Sequence, residues 1–290
     1  MHTSLKHSFL VPIAALLLQL IATGVSAQWQ QTFGPRGEDV QSLASDFTGH
    51  LYAGTDSGVF VSSDSGRNWT LSTTGLGELE IFSIGISKSE SVVVGTEGGG
   101  CYRSKDFCNT WESINTGLYD TLNVLSVIGD RSGDLVCGSA ASGTFISTDE
   151  GDHWLERSDG LANQSIWSLT AAPNGTLYAG ATGFISKSTD LGIHWTNVDT
   201  LQPKEEVLAL ASDSNGHIFA GTTRGSVLRS TDNGTTWTVL PSGLTRVVEC
   251  IATNGSSVFV GTYGQGIWVS SDNGMSWTQP DTGLTDYSIY

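Results

Sequence analysis

The chain is expected to fold as an all-β propeller of four-stranded antiparallel blades, six complete, with remnants of a seventh at its two ends. Three observations carry this. An eight-residue phrase, S-x-D-x-G-x-x-W, stands first at Ser62-Ser-Asp64-Ser-Gly66-Arg-Asn-Trp69 and returns five times. Its tryptophans (Trp69, Trp111, Trp154, Trp195, Trp237 and Trp277) are 42, 43, 41, 42 and 40 residues apart. Each unit holds four short runs rich in β-branched and aromatic residues, bounded by Gly, Asp, Ser and Asn, and no window carries a helical period. Four strands in about forty residues is the pattern of a propeller blade.

Aligned on the tryptophans, the blades are 39–79, 80–121, 122–164, 165–206, 207–247 and 248–287. In the first, the four runs begin at Val40, His50, Gly58 and Trp69. The second run ends in a glycine in every unit: Gly54, Gly95, Gly138, Gly180, Gly221 and Gly261. That glycine implies a closely approaching neighbour or a backbone angle that other residues resist. The fourth run leads into Gly-Leu six residues after Trp69, Trp111, Trp154, Trp237 and Trp277. The fourth unit departs, with Thr200-Leu-Gln-Pro-Lys204-Glu205-Glu206 there instead. Residues 28–38 resemble a lone fourth strand, and 288–290, after Asp286-Tyr287, resemble the start of a first strand. A partial further blade, in a chain cut short, is the expectation.

The segment 1–27 reads as a signal peptide. It has a basic Lys6, an apolar stretch from Phe9 to Ala22, and Val25-Ser-Ala27 at the cleavage position. The apolar run is shorter than the roughly 20 residues of a membrane span. Cleavage after Ala27 would deliver the domain 28–290 to the periplasm, cell surface or medium, and no transmembrane span is expected. Losing Lys6 takes the net charge from −16 to −17, because the leader holds no acid. So acidic a body does not attract phosphate backbones, which argues against nucleic acid. The four cysteines, Cys101, Cys108, Cys137 and Cys250, form no C-x-x-C pair and are expected to be mostly small buried thiols. No metal-ligand set or cofactor motif is present, and no cofactor is expected.

The recurring phrase lies between the third and fourth strands, so it is read as a hairpin turn. Its aspartates, Asp64, Asp106, Asp149, Asp190, Asp232 and Asp272, are placed to accept backbone N–H bonds. Its glycine supplies positive φ, and its tryptophan buries a large ring. Calcium is not favoured, because a calcium loop needs several oxygen ligands and each turn offers one acid. In the second unit Cys108 replaces the glycine, and a looser turn is expected there.

The phrase is that of the Asp-box, or BNR, repeat, and residues 39–287 resemble that family throughout, with five full matches and one partial match. The family includes sialidases, xyloglucan-active glycosidases, sortilin-type receptors, photosystem assembly factors and secreted bacterial propellers of unknown role. The short, uniform loops are most similar to the last group, some of which carry a sorting tail for type IX secretion. Sialidases resemble one another in an Arg-Ile-Pro motif and an arginine triad, and Pro35-Arg36-Gly37 does not match the motif. Tyr52-Ala-Gly-Thr-Asp56-Ser-Gly58 is similar to the xyloglucanase stretch whose Asp is catalytic, which would make Asp56 an acid or base. Glu97 is its equivalent in the next unit. Those enzymes set a second carboxylate on a second propeller, and glycoside hydrolysis needs two at a set separation.

Two sets of loops share one face of a propeller: those between second and third strands, and those between blades. The first set carries Asp56, Glu97, Ala140, Thr182, Thr223 and Tyr263 at one equivalent position, with Arg224 beside the fifth. The second carries Glu78, Glu80, Asp120, Gln164, Lys204, Glu205, Glu206, Arg246 and Tyr287. Side chains that vary on a fixed framework suit recognition. The binding candidates are therefore Asp56, Glu97, Glu205, Arg224, Arg246 and Tyr263. The expected function is an exported, non-catalytic binding or scaffold module for a protein or glycan. The alternative is a glycoside hydrolase, xyloglucanase-like or sialidase-like, with Asp56 as acid or base and Glu97 as a second carboxylate.

Overall fold

The computed structural model describes residues 34–35, 38–118, 122–130, 132–200, 205–280, 283–284 and 287–289. The leader 1–27, the run 28–33, Asp120, Lys204, Asp286 and Tyr290 lie outside the described residues. The fold is an all-β six-bladed propeller. Blade one is the antiparallel sheet of Val40–Ser45, Leu51–Thr55, Gly58–Ser62 and Thr70–Ser72, in that order. Blades two to six start at Ile81–Ile86, Val124–Gly129, Ile166–Ala171, Val207–Ser212 and Val248–Asn254. Blades two to five repeat the four-strand order, and in blade six the fourth strand is a single bridge between Val269 and Thr278. The first strands pack on one another from blade to blade and so line the axis.

A blade is one sheet thick and has no core of its own, so its apolar faces are buried only against neighbours. The core is accordingly a series of separate clusters, one at each joint. The second-strand glycines show why the joints are tight. A methyl on Gly138 would sit 2.6 Å from Ile166 Cγ2, and one on Gly180 would sit 2.7 Å from Val207 Cγ1. The same holds between Gly54 and Ile81, and between Gly261 and Ile289. Close approach is the reason for this glycine, because none of the six has positive φ.

The phrase's tryptophan clamps its blade to the one before. The backbone N–H of Trp111, Trp154 and Trp195 donates to Thr74 O, Thr116 O and Asp159 O at 2.8 to 2.9 Å. Their indole N–H groups donate to Ser72 Oγ, Ile114 O and Arg157 O. The Gly-Leu sequence belongs to this clamp: Gly75, Gly117 and Gly160 have φ of 85° to 95°, and a methyl there would lie 2.1 to 2.2 Å from the tryptophan carbonyl oxygen. Trp277 instead bonds Gly274 in its own turn, as Trp69 bonds Gly66, and the buried Trp237 indole N–H has no hydrogen-bond partner among the described residues.

If close approach explains the second-strand glycine, Gly138→Ala overpacks the joint and costs about 1–3 kcal/mol in denaturant titration. A cost under about 0.5 kcal/mol would contradict it.

Candidate functional site

The two ends of the propeller carry different chemistry. On one, the S-x-D-x-G-x-x-W turns close on themselves. In all six, the Ser hydroxyl donates to the Asp and accepts the N–H two residues beyond it, as Ser147 does from Gly151 at 2.7 Å. The Asp Oδ1 accepts the N–H of the residue before the Trp at 2.8 to 2.9 Å. Its Oδ2 takes that residue's side chain: Asn68, Thr110, His153, His194, Thr236 or Ser276. Sequence reasoning missed this donor, although it stands at one position of every repeat. Hydrogen bonds from Asn68, Thr236 and Ser276 hold the carboxyls of Asp64, Asp232 and Asp272 down at about 2.

The turn around Cys108 corrects the expectation of a looser one. Cys108 has φ 61°, and Ser104 and Asp106 make the same bonds as in the other turns. A left-handed angle is open to an L-residue at modest cost. Burial of the Cys108 side chain among Tyr52, Val94 and Trp111 offsets that cost.

The same end carries a second aspartate series that the sequence analysis overlooked. Asp46 and Asp213, in the first hairpins of blades one and five, hold the N–H and Nδ1 of His50 and His217. Burial raises the Asp46 pKa, but bonds from Thr48, Tyr52 and His50 outweigh it and keep the carboxyl well below the usual range. Cations strap neighbouring turns together: Arg103 reaches Glu150 O, Lys187 reaches Asn233 O and Arg229 reaches Asn273 O. This end is a framework whose polar groups are largely engaged.

The opposite end carries the variable residues. Glu97 and Glu80 lie across from each other where the first strand of blade two begins and the second ends, the Glu97 N–H donating to Glu80 O at 3.1 Å. The hydrogen-bonded Glu97 carboxylate and burial push Glu80 up to about 7. At the equivalent place in blade one, burial and then the Glu38 carboxylate push Asp56 up to about 6, with Asp39 adding repulsion. Glu38 is steadied by Ser57 Oγ at 2.5 Å. Asp56 also acts on Glu80, so five acids form one sector over blades one and two. Two sequence candidates, Asp56 and Glu97, are thus brought into one cluster, each paired with a different acid.

Arg224 and Arg246 stand together on blade five. A methyl on Gly225 would lie 2.7 Å from Arg246 O, so the two backbones touch. Both arginines are exposed, and neither joins an ion pair among the described residues. Tyr263, on blade six, is about half exposed and bonds through its N–H to Val247 O. Glu205 differs from expectation. It is 4 % exposed, and its carboxylate accepts the Thr222 hydroxyl at 2.5 Å. The carboxylate is turned inward and braces blade four against blade five.

Between these sectors lies a feature invisible in the repeat alignment. Each first strand carries a bulge after its first residue, at Gln41, Phe82, Leu125, Trp167, Leu208 and Glu249. A bulge leaves one residue out of the ladder and re-aims it. All six are half-buried, and they ring the inner end of this face. Four are large and apolar. Among the described residues no three His, Cys, Asp or Glu side chains could hold a metal ion, and no helix is long and apolar enough to cross a membrane.

A family model described as the DUF6242 beta propeller domain matches residues 135–260. No curated protein matches the chain. Among solved structures it is similar to YCF48 bound to D1 peptide, with TM-score 0.67 and 15 % identity over 83 % of this chain and 82 % of that one. It is similar to the extracellular domain of a hybrid two-component system from B. thetaiotaomicron, with TM-score 0.68 and 16 % identity over 83 % of this chain. It spans about a third of that protein, 34 %. It is also similar to the GH74 xyloglucanase from Xanthomonas campestris, with TM-score 0.66 and 17 % identity over 83 % of this chain and 45 % of the enzyme. At such identities the likeness shows the fold alone.

The two ends titrate with opposite sign. Acids raised in the folded chain, Glu80 to about 7 and Asp56 to about 6, weaken the fold while ionised, so stability rises as pH falls from about 8 to about 5. Acids lowered to about 2, such as Asp64, contribute stability that is lost as pH falls from about 4 towards 2. Thermal melts should therefore peak in Tm near pH 4–5, with Glu80→Gln flattening the alkaline limb. A Tm that falls steadily from pH 8 to 5 would oppose this.

Proposed function

We propose that the chain is an exported, non-catalytic binding module of the Asp-box type whose ligand is a polypeptide segment. The segment lies across the face made by the second-to-third strand turns and the connections between blades. The observation that carries this is the charge layout of that face. Five acids on blades one and two and two arginines on blade five flank an inner rim in which Phe82, Leu125, Trp167 and Leu208 form a continuous apolar arc, closed by Gln41 and Glu249. Like charges left close together stabilise a ligand that neutralises them, and an apolar centre with charged flanks suits a short peptide better than a neutral sugar chain. The peptide bound to YCF48 supports a propeller of this shape as a peptide receptor. Export is supported by the signal-peptide pattern of residues 1–27 and by the extracellular setting of one structural neighbour.

Residues 28–38 and 288–290 are assigned to a further blade. Ser288 bridges Tyr263 as Glu206 bridges Thr182, which supports 288 onwards as an inner strand. The faces that such a blade would cover are less buried than their equivalents. Phe259 and Ile267 of blade six are half-buried, whereas Phe219 and Val227 of blade five are fully buried.

The second reading, a glycoside hydrolase centred on Asp56, has one observation in its favour. A carboxyl held at about 6 suits a general acid. Its neighbouring acids serve equally well to bind a cation, and no second carboxylate is assigned as nucleophile.

An array of extended twelve-residue peptides with charge placed at either end tests the proposal. Peptides with a Lys/Arg end, an apolar middle and an acidic end should bind best, and Arg224→Glu with Arg246→Glu should weaken binding by at least about tenfold, the loss of a charge pair. Binding indifferent to charge placement would sink it. So would turnover of chromogenic glycosides that disappears in Asp56→Asn.

A further inference from the structure

The repeat places two side chains face to face across every joint. One is the third-strand residue paired with the second-strand glycine, and it points forward. The other is the residue before the second-strand glycine of the next blade, and it points back. Val59 and Val94 share the core between blades one and two. Ile185 and Ala220 share the core between blades four and five, and Val227 and Val260 that between five and six. Between blades two and three, the residues in these positions are Cys101 and Cys137. Both are 0 % exposed, and both belong to one cluster with Val93, Val127, Leu135 and Phe145. The other two cysteines stand apart, Cys108 in a turn and Cys250 on an inner strand.

We propose that Cys101 and Cys137 form a disulfide that staples blade two to blade three when the chain folds in an oxidising compartment. Both are free thiols in this structure and share one buried cluster across the joint, and the bond would bring their Cβ atoms to about 4 Å. The Cys101 thiol is also the neighbour that, after burial, most raises the Cys137 thiol. A thiol so shielded is inert in the closed core. The bond therefore forms before the joint closes, while the strands are still open to an oxidant. The oxidant is an external disulfide, of a small thiol or of an oxidoreductase. One cysteine thiolate attacks it to give a mixed disulfide and a free donor thiol. The second thiolate attacks the mixed disulfide and expels the other donor thiol. Two protons and two electrons leave the pair, and the donor disulfide becomes two thiols. The residues lie 36 apart in sequence, so the bond closes a loop of the size that restrains an unfolded chain. The in vivo step rests on the export reading, but the pairing geometry does not.

The test is to refold the reduced, unfolded chain in reduced and oxidised glutathione, then alkylate and map peptides by mass spectrometry. The expected product links the peptides of Cys101 and Cys137 and leaves Cys108 and Cys250 alkylated. Adding reductant should lower Tm by about 5–10 °C. The double variant Cys101→Val with Cys137→Val copies the Val59–Val94 joint, so it should fold and show no response to reductant. Recovery of Cys101 and Cys137 both alkylated after oxidative refolding would overturn the proposal. A link of either one to Cys108 or Cys250 would overturn it too.

Discussion

Every part of this molecule depends on one constraint: a four-stranded blade has two apolar faces and no interior. Each blade must press both faces against others, and the joint is the unit of stability. The second-strand glycines exist because the next blade's Ile or Val occupies the space of a side chain. The tryptophan clamp exists because the outer edge of a twisted sheet would otherwise splay from its neighbour. Where the clamp sequence is broken, after blade four, the structure turns to other means. Glu205 is drawn inside to bond Thr222.

The division of labour between the two ends follows from the same constraint. Turns between third and fourth strands must hold a fixed angle so that the tryptophan enters its joint. Their polar groups are engaged in doing so, and the aspartates that recur most faithfully are least open to other chemistry. The loops at the other end bear no such duty. Their side chains are free to gather unfavourable neighbours, and the paired carboxyls of Glu80 and Glu97 are the result. A protein tolerates such a cluster at an exposed end, where water and ligands relieve it, more readily than at a joint.

The repeat arithmetic gave the architecture and the turn staples directly, because each blade solves the same packing problem and leaves the same residues behind. Legibility fell where a residue's role depends on what lies beside it in space and not along its own run of sequence. Asp56 and Glu97 were recognisable as variable loop acids, but their partners Glu38 and Glu80 became visible only when strands one and two were side by side. Glu205 read as a surface acid because its neighbours Lys204 and Glu206 are charged. Cys108 read as a misfit because the cost of its backbone angle was visible and the burial that offsets it was not. The bulge residues carried no signal, since a bulge is a mismatch between two strands.

The sequence by itself determined the blade, its turn and its glycines, since these are local rules repeated at a fixed period. It determined the acidity of the chain as well. Only the tertiary structure decided which residues meet across a joint or along a rim: Cys101 with Cys137, Arg224 with Arg246, Glu80 with Glu97. The first meeting depends on the rotation from one blade to the next and the other two on how the ends of one blade's strands are set side by side, and a one-dimensional repeat encodes its own period without showing either.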